Sequence, residues 1–149
     1  MAGSITSVNS VISMSVTNLF AAPQVLQGYS ADDIFTNEAI DAAETMMGLD
    51  GKLAAGFVPS AVTQNYVLMA NSPSLPFFDE WYRAMKETKD VFFAQAVIVL
   101  PSVFMKYTMI NGVLRNYPPL PNASRTLRPR TFTIVWESAD PQVIAAGAA

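Results

Sequence analysis

Between residues 8 and 16 apolar side chains alternate with small polar ones, Ser10, Ser13 and Ser15 falling among Val11, Ile12, Met14 and Val16. A period of two puts each set on its own face of a strand, so this segment is predicted to be the opening strand. Residues 24–29 follow Pro23 and run into Gly28-Tyr29-Ser30, which predicts a second short strand entering a turn. Residues 62–70 alternate again and stop at Asn71-Ser72-Pro73, and residues 91–100 form a β-branched and aromatic run closed by Pro101. Residues 103–110 then lead into Asn111-Gly112, the dipeptide that best tolerates the positive φ of a two-residue hairpin, with 113–116 as the returning strand. Beyond a proline-rich connection at 118–121, Phe132, Ile134 and Trp136 alternate with Thr131, Thr133 and Val135 in a closing strand. The tail from Ala139, ending in Ala and Gly, is expected to fray.

One segment has the other period. Phe77, Phe78, Trp81, Ala84 and Met85 recur at helical spacing, with Ser74 as N-cap, Pro76 in the first turn, Asp79 and Glu80 toward the positive end, and Lys86 and Lys89 closing the C-terminal end. This pattern predicts an amphipathic helix over about residues 75–88, packed on a sheet. Residues 34–47 fit two patterns. Glu38, Ala39, Ala42, Ala43 and Glu44 have good helix propensity, but a helix would place Glu44 on the face of Ile40 and Met47. The segment also runs into Gly48-Leu49-Asp50-Gly51, where Asp-Gly is a hairpin signal, so strand is preferred and helix remains a rival. The expected fold is mainly β: an antiparallel β-sandwich or small barrel flanked by one helix, in a single domain over 1–149 with flexible N-terminal residues and a frayed tail at 139–149.

Composition adds a second point. Hydrophobic residues make up 51% of the 149 and charged residues only 14%, well below the roughly 25% usual for soluble domains. A solitary monomer would lack ionic groups to cover itself, which implies surface hidden against other copies. The first 16 residues lack the basic and apolar regions of an export signal, and the charge-free apolar run at residues 91–105, interrupted by Gln95, Pro101 and Ser102, is too short to cross a bilayer as a helix.

The chain contains no His and no Cys, which removes imidazole bases, thiolate nucleophiles, disulfides and the usual zinc ligands. The adjacent acids Asp32-Asp33 and Asp79-Glu80 read as turn and helix-start residues, since no other polar group converges on them. Gly48 to Lys52 has the wrong spacing for a phosphate loop, and its acids do not recur as in a calcium loop. No catalytic residue, cofactor site or metal site is expected, and the chain is not expected to be an enzyme. Charge is nevertheless segregated. Asp32, Asp33, Glu38, Asp41, Glu44 and Asp50 occur without a base among them, whereas Lys106, Arg115, Arg125, Arg128 and Arg130 occur in a stretch, residues 91–136, that has no acid. Such a molecule can stack on itself through complementary faces, unless the two stretches meet as salt bridges within one subunit. The bases, with Tyr107 and Tyr117 among them, could also touch nucleic acid, but the chain as a whole is acidic.

The order of these signals resembles the tail tube proteins of contractile-tailed bacteriophages: Gly48-Leu49-Asp50-Gly51-Lys52, the strand ending near Leu68, the Ser72-Pro73-Ser74 helix start, the helix with Phe78 and Trp81, Asn111-Gly112-Val113-Leu114, and Arg128-Pro129-Arg130-Thr131-Phe132-Thr133-Ile134. The resemblance spans about residues 30–136. It implies a structural virion protein, six copies joined edge to edge in a ring and rings stacked into a hollow tube that conducts DNA into the host. The implied partners are other copies, a tape-measure protein, a tail sheath protein, and baseplate and tail terminator proteins, with DNA passing unbound, no membrane segment, and a place in the virion tail after assembly in the host cytoplasm. Edge pairing between subunits would satisfy backbone groups that an open sandwich exposes, and carboxylates repel a phosphate backbone where lysines would retain it.

On that reading Glu38, Asp41 and Glu44 are candidates for the lumen. Asp32, Asp33, Asp50, Lys52, Arg125, Arg128 and Arg130 are candidates for ring stacking. Three alternatives remain open: the tube of a type VI secretion or pyocin-like machine, a monomeric β-sandwich binding module using Trp81, Tyr82 or Trp136, and an enzyme built on carboxylates.

Overall fold

A computed structural model describes residue 5, residues 7–29 and residues 34–144. The strands are β1 (Val11–Val16), β2 (Phe20–Val25), β3 (Phe35–Asn37), β4 (Ala43–Met47), β5 (Leu53–Phe57), which the sequence reading did not place, β6 (Val62–Leu68), β7 (Ala94–Leu100), β8 (Met105–Asn116) and β9 (Arg130–Val143), with helix α1 (Leu75–Thr88) between β6 and β7. Seven strands form one antiparallel sheet in the order β2-β1-β7-β8-β9-β6-β3, and β4 and β5 form a separate hairpin. The edge strands β2 and β3 do not pair with each other, so the sheet is open rather than a closed barrel.

Alternation decides which face is inside. Ile12, Met14 and Val16 of β1, Tyr66 and Leu68 of β6, and Phe132, Ile134 and Trp136 of β9 belong to one buried cluster. Strands from both halves of the sheet therefore share a core, and the sheet curls around it. Helix α1 enters that core with Leu75, Phe77, Phe78 and Trp81. The Phe78 ring stacks on Phe132 with centroids 4.3 Å apart, Phe77 stacks on Phe20 at 4.8 Å, and the Trp81 Nε1–H donates to the Phe92 carbonyl at 3.0 Å. Each fully buried side chain of this size contributes roughly 1.5–3 kcal/mol, so the aromatic stripe read from the sequence anchors the helix. The buried Gln64 carbonyl accepts from Tyr66 Oη and, at 3.0 Å, from Trp136 Nε1, so neither polar aromatic is left unpaired.

Several expectations are corrected. Asn111-Gly112 is not a hairpin turn: it lies inside the continuous 12-residue β8. Asn111 does adopt positive φ, at 50°, but as a bulge, Ile110 and Asn111 of β8 standing against Gln95 alone between Ala94 and Ala96 of β7. Its side chain accepts from Gln95 Nε2 at 2.9 Å and donates to Glu137 at 3.1 Å, filling the irregularity. Gly112 is required because a Cβ there would lie 2.4 Å from the Trp136 ring. Residues 139–143 are paired with β8 rather than frayed, because β8 is long enough to extend β9 to Val143. Residues 145–149 and the first four residues, also expected to be flexible, lie outside the described residues. The second strand starts at Phe20 rather than at Gln24.

The helix start differs too. Ser74 occupies the N-cap position without a side-chain cap; its Oγ accepts from the Gln27 N–H at 2.7 Å. Asp79 and Glu80 lie beyond the first turn, out of useful reach of the dipole. In residues 34–47 the strand preference holds, as two short strands, β3 and β4, separated by residues 38–42.

A candidate self-assembly surface

The Asp50-Gly51 turn closes the β4–β5 hairpin as the sequence predicts. Lys52 N–H donates to Asp50 Oδ1 at 3.1 Å, Gly48 N–H to the Lys52 carbonyl at 2.8 Å, and Gly51 takes φ +83°. The hairpin stands away from the core as an arm. All ten residues of β4 and β5 are exposed, on both faces. Leu49 at the tip is wholly exposed, Phe57 is 82% exposed, and Met46, Met47 and Leu53 are also open to solvent. An isolated two-stranded hairpin is marginal in water, and one that shows apolar groups on both sides lacks the cover that would hold it. Glu38, Asp41 and Glu44 lie at its root and Asp50 at its tip, all exposed. The Asp41 carbonyl accepts from Ser60 Oγ at 2.9 Å, which ties the two legs of the arm together.

At the other end of the sheet, residues 117–129 join β8 to β9. This loop has a rigid base: Arg128 N–H donates to the Asn122 carbonyl at 2.7 Å, Ala123 bridges to Leu127, and Pro118, Pro119 and Pro121 fix their own φ. Leu120 is 67% and Leu127 57% exposed, with Arg125 and Arg128 exposed beside them and Arg115 at the preceding strand end. The register of β6 places the two features. Its first residue, Val62, follows the arm and pairs with Trp136, while its last, Leu68, pairs with Arg130 at the end of the loop. At the 3.3 Å rise of a strand, arm and loop sit at opposite ends, roughly 20 Å apart.

The structure thus keeps Glu38, Asp41, Glu44, Asp50 and Lys52 together at one end and Arg125 and Arg128 at the other, without salt bridges between the two groups among the described residues. Asp32 and Asp33 lie outside the described residues. Arg130 is removed from the stacking set. It is 5% exposed, with one guanidinium nitrogen 3.0 Å from Asp79 and 2.7 Å from the Pro118 carbonyl, and it lies over the rings of Tyr117 and Phe132. Tyr117 also donates to Asp79, and burial, followed by that carboxylate, pushes its hydroxyl pKa up while Arg130 opposes the shift. This cluster fastens the loop to α1 and withdraws Arg130 from the surface. It leaves Asp79 and Glu80 bound to different arginines, Arg130 and Arg83, so the two acids do not converge. Trp81 and Trp136 are fully buried and offer no aromatic platform to a ligand.

Sequence reading missed the apolar side of the arm. The signal was available: Met46, Met47, Leu49 and Leu53 occupy both parities of a short hairpin, which a strand with one solvated face does not do. It also missed an open apolar cleft of about 450 Å³ at the arm end, walled by Phe35, Ile40, Val62, Ile98, Leu100 and Tyr107, with Glu38 at its lining. Among the described residues no group of three or more Asp, Glu, His or Cys could hold a metal ion, and no helix is long and apolar enough to cross a membrane.

A sequence profile for the family described as tail fiber protein gp32 matches residues 3–140. No curated protein sequence matches the chain. Among solved structures, a chain in the cryo-EM structure of the anti-feeding prophage baseplate, 6-fold symmetrised, is similar at 14% identity, with 97% of this chain and 99% of that chain covered and a TM-score of 0.59. A chain in the PVC extracellular contractile injection system sheath/tube terminator is similar at 11% identity, covering 96% and 99%, with a TM-score of 0.62. A chain in the PVC sheath-tube complex is similar at 11% identity, covering 95% and 93%, with a TM-score of 0.60. At these identities the likeness is one of fold.

Proposed function

The chain belongs to the tail fiber protein gp32 family, and from that premise we propose that it is a structural subunit of a contractile-type tail, working by self-assembly rather than by catalysis. The observation that carries the proposal is the unsupported arm, apolar on both faces and acidic, placed at the opposite end of the molecule from an apolar and basic loop. A contact between unlike ends is heterologous. It repeats indefinitely along an axis, as stacking requires.

The fold shared with chains of sheath-tube and terminator complexes supports a tube in preference to a fibre, and the six-fold symmetry of the baseplate neighbour supports hexameric rings. Lateral contact would use the free edges of β2 and β3, which carry no charged side chain to ward off pairing. In such a tube the further partners are a tape-measure protein, sheath, baseplate and terminator proteins, DNA is the cargo, and Glu38, Asp41 and Glu44 contribute negative charge toward the bore. Because the neighbours are injection-system particles, a bore that passes protein is the second reading.

Electron microscopy and sedimentation velocity of the purified chain over a wide concentration range test the proposal. Rings or tubes are expected at high concentration. A single monomeric species at every concentration would overturn it.

A further inference from the structure

Resting on the head-to-tail reading above, the geometry points to the seat of that contact: we propose that the apolar cleft at the arm end receives the 117–129 loop of a second copy, with Leu127 and Leu120 entering it. Three observations converge. The cleft and the loop lie toward opposite ends of β6, so copies repeated along the strand direction bring the loop of one against the cleft of the next. The chemistry matches, because the cleft walls include Phe35, Ile40, Ile98, Leu100 and Tyr107, while the loop offers two exposed leucines on a base already stiffened by prolines and its own backbone hydrogen bonds. A preformed knob loses little conformational freedom on docking.

Charge also matches. Glu38 is at the cleft, with Asp41 and Glu44 following on the arm root, and Arg125 and Arg128 flank Leu127 in a loop that contains no acid. Opposite charges at the rim fix the register of an apolar contact and exclude like ends from pairing. The arm then extends beyond the docked loop and lies along the neighbour, which covers Met46, Met47 and Phe57.

The absence of cysteine makes the test clean. Single-cysteine variants Leu127→Cys and Ala39→Cys, the second at the cleft, are mixed, assembled and oxidised, with Leu127→Cys plus Lys89→Cys at the end of α1 as the control pair. The Leu127–Ala39 pair should form the mixed disulfide dimer at least tenfold more than the control. In parallel, Leu120→Asp with Leu127→Asp should reduce polymer at least tenfold while the circular dichroism of the monomer is unchanged. Polymers in which Leu127→Cys links to Asp50→Cys instead of Ala39→Cys would put the loop at the arm tip and overturn the cleft as its seat, leaving self-assembly intact. Wild-type protein that never polymerises would overturn both.

Discussion

Asn111-Gly112 shows how a dipeptide can be half legible: Asn111 takes the positive φ that it signals, whereas Gly112 does not. Asn-Gly does mark positive φ, and Asn111 has it, but the glycine is demanded by the Trp136 ring, which lies where a Cβ would be. Gly112→Ala is therefore expected to lower the stability of the folded monomer by about 2–4 kcal/mol through overpacking and backbone shift, read as a fall in the urea midpoint; an unchanged midpoint would contradict the contact. Arg130 is a similar case. Its charge belongs to the basic stretch legible in the sequence, but the partners that withdraw it, Asp79 and the Pro118 carbonyl, are 51 and 12 residues away along the chain, and nothing local announces them.

At the scale of elements, local chemistry was legible wherever an element is decided by its own residues. The aromatic stripe and prolines set α1 at Leu75–Thr88, and the Asp-Gly turn set β4 and β5. Lengths decided by pairing were not legible: β8 passes through its apparent turn, and β9 doubles its alternating segment, because each extends along the other. The arm gives a prediction that separates folding from assembly. Phe57→Asp removes an exposed side chain, so the monomer's unfolding free energy from urea titration should stay within about 0.5 kcal/mol of wild type, as for surface substitutions, while polymer measured by sedimentation falls several-fold. Loss of the monomer fold would mean that the arm supports the core.

For the whole molecule the relevant quantity is the distribution of charge between two ends. Arg128→Glu should weaken polymerisation strongly, seen as a rise in the concentration at which large species sediment, with the monomer still folded. Normal polymers from this variant would remove the basic loop from the contact. The same exchange at Arg130 should instead lower the urea midpoint of the monomer, since it puts a carboxylate at a buried position facing the half-exposed Asp79.

By itself the sequence determined the mainly antiparallel β class, the helix, the arm's turn, the segregation of acids from bases along the chain and the shortage of charge. Each of these depends on side-chain period, turn chemistry or composition, which are properties of adjacent residues. Only the tertiary structure decided that Glu38, Asp41, Glu44 and Asp50 stand at the opposite end of β6 from Arg125 and Arg128, that Lys106 of the basic stretch lies instead toward the arm end, that Arg130 is buried, and that the arm is bare on both faces. Those facts depend on which strands pair and in which register, a choice set by the packing of residues far apart in the chain around a shared core.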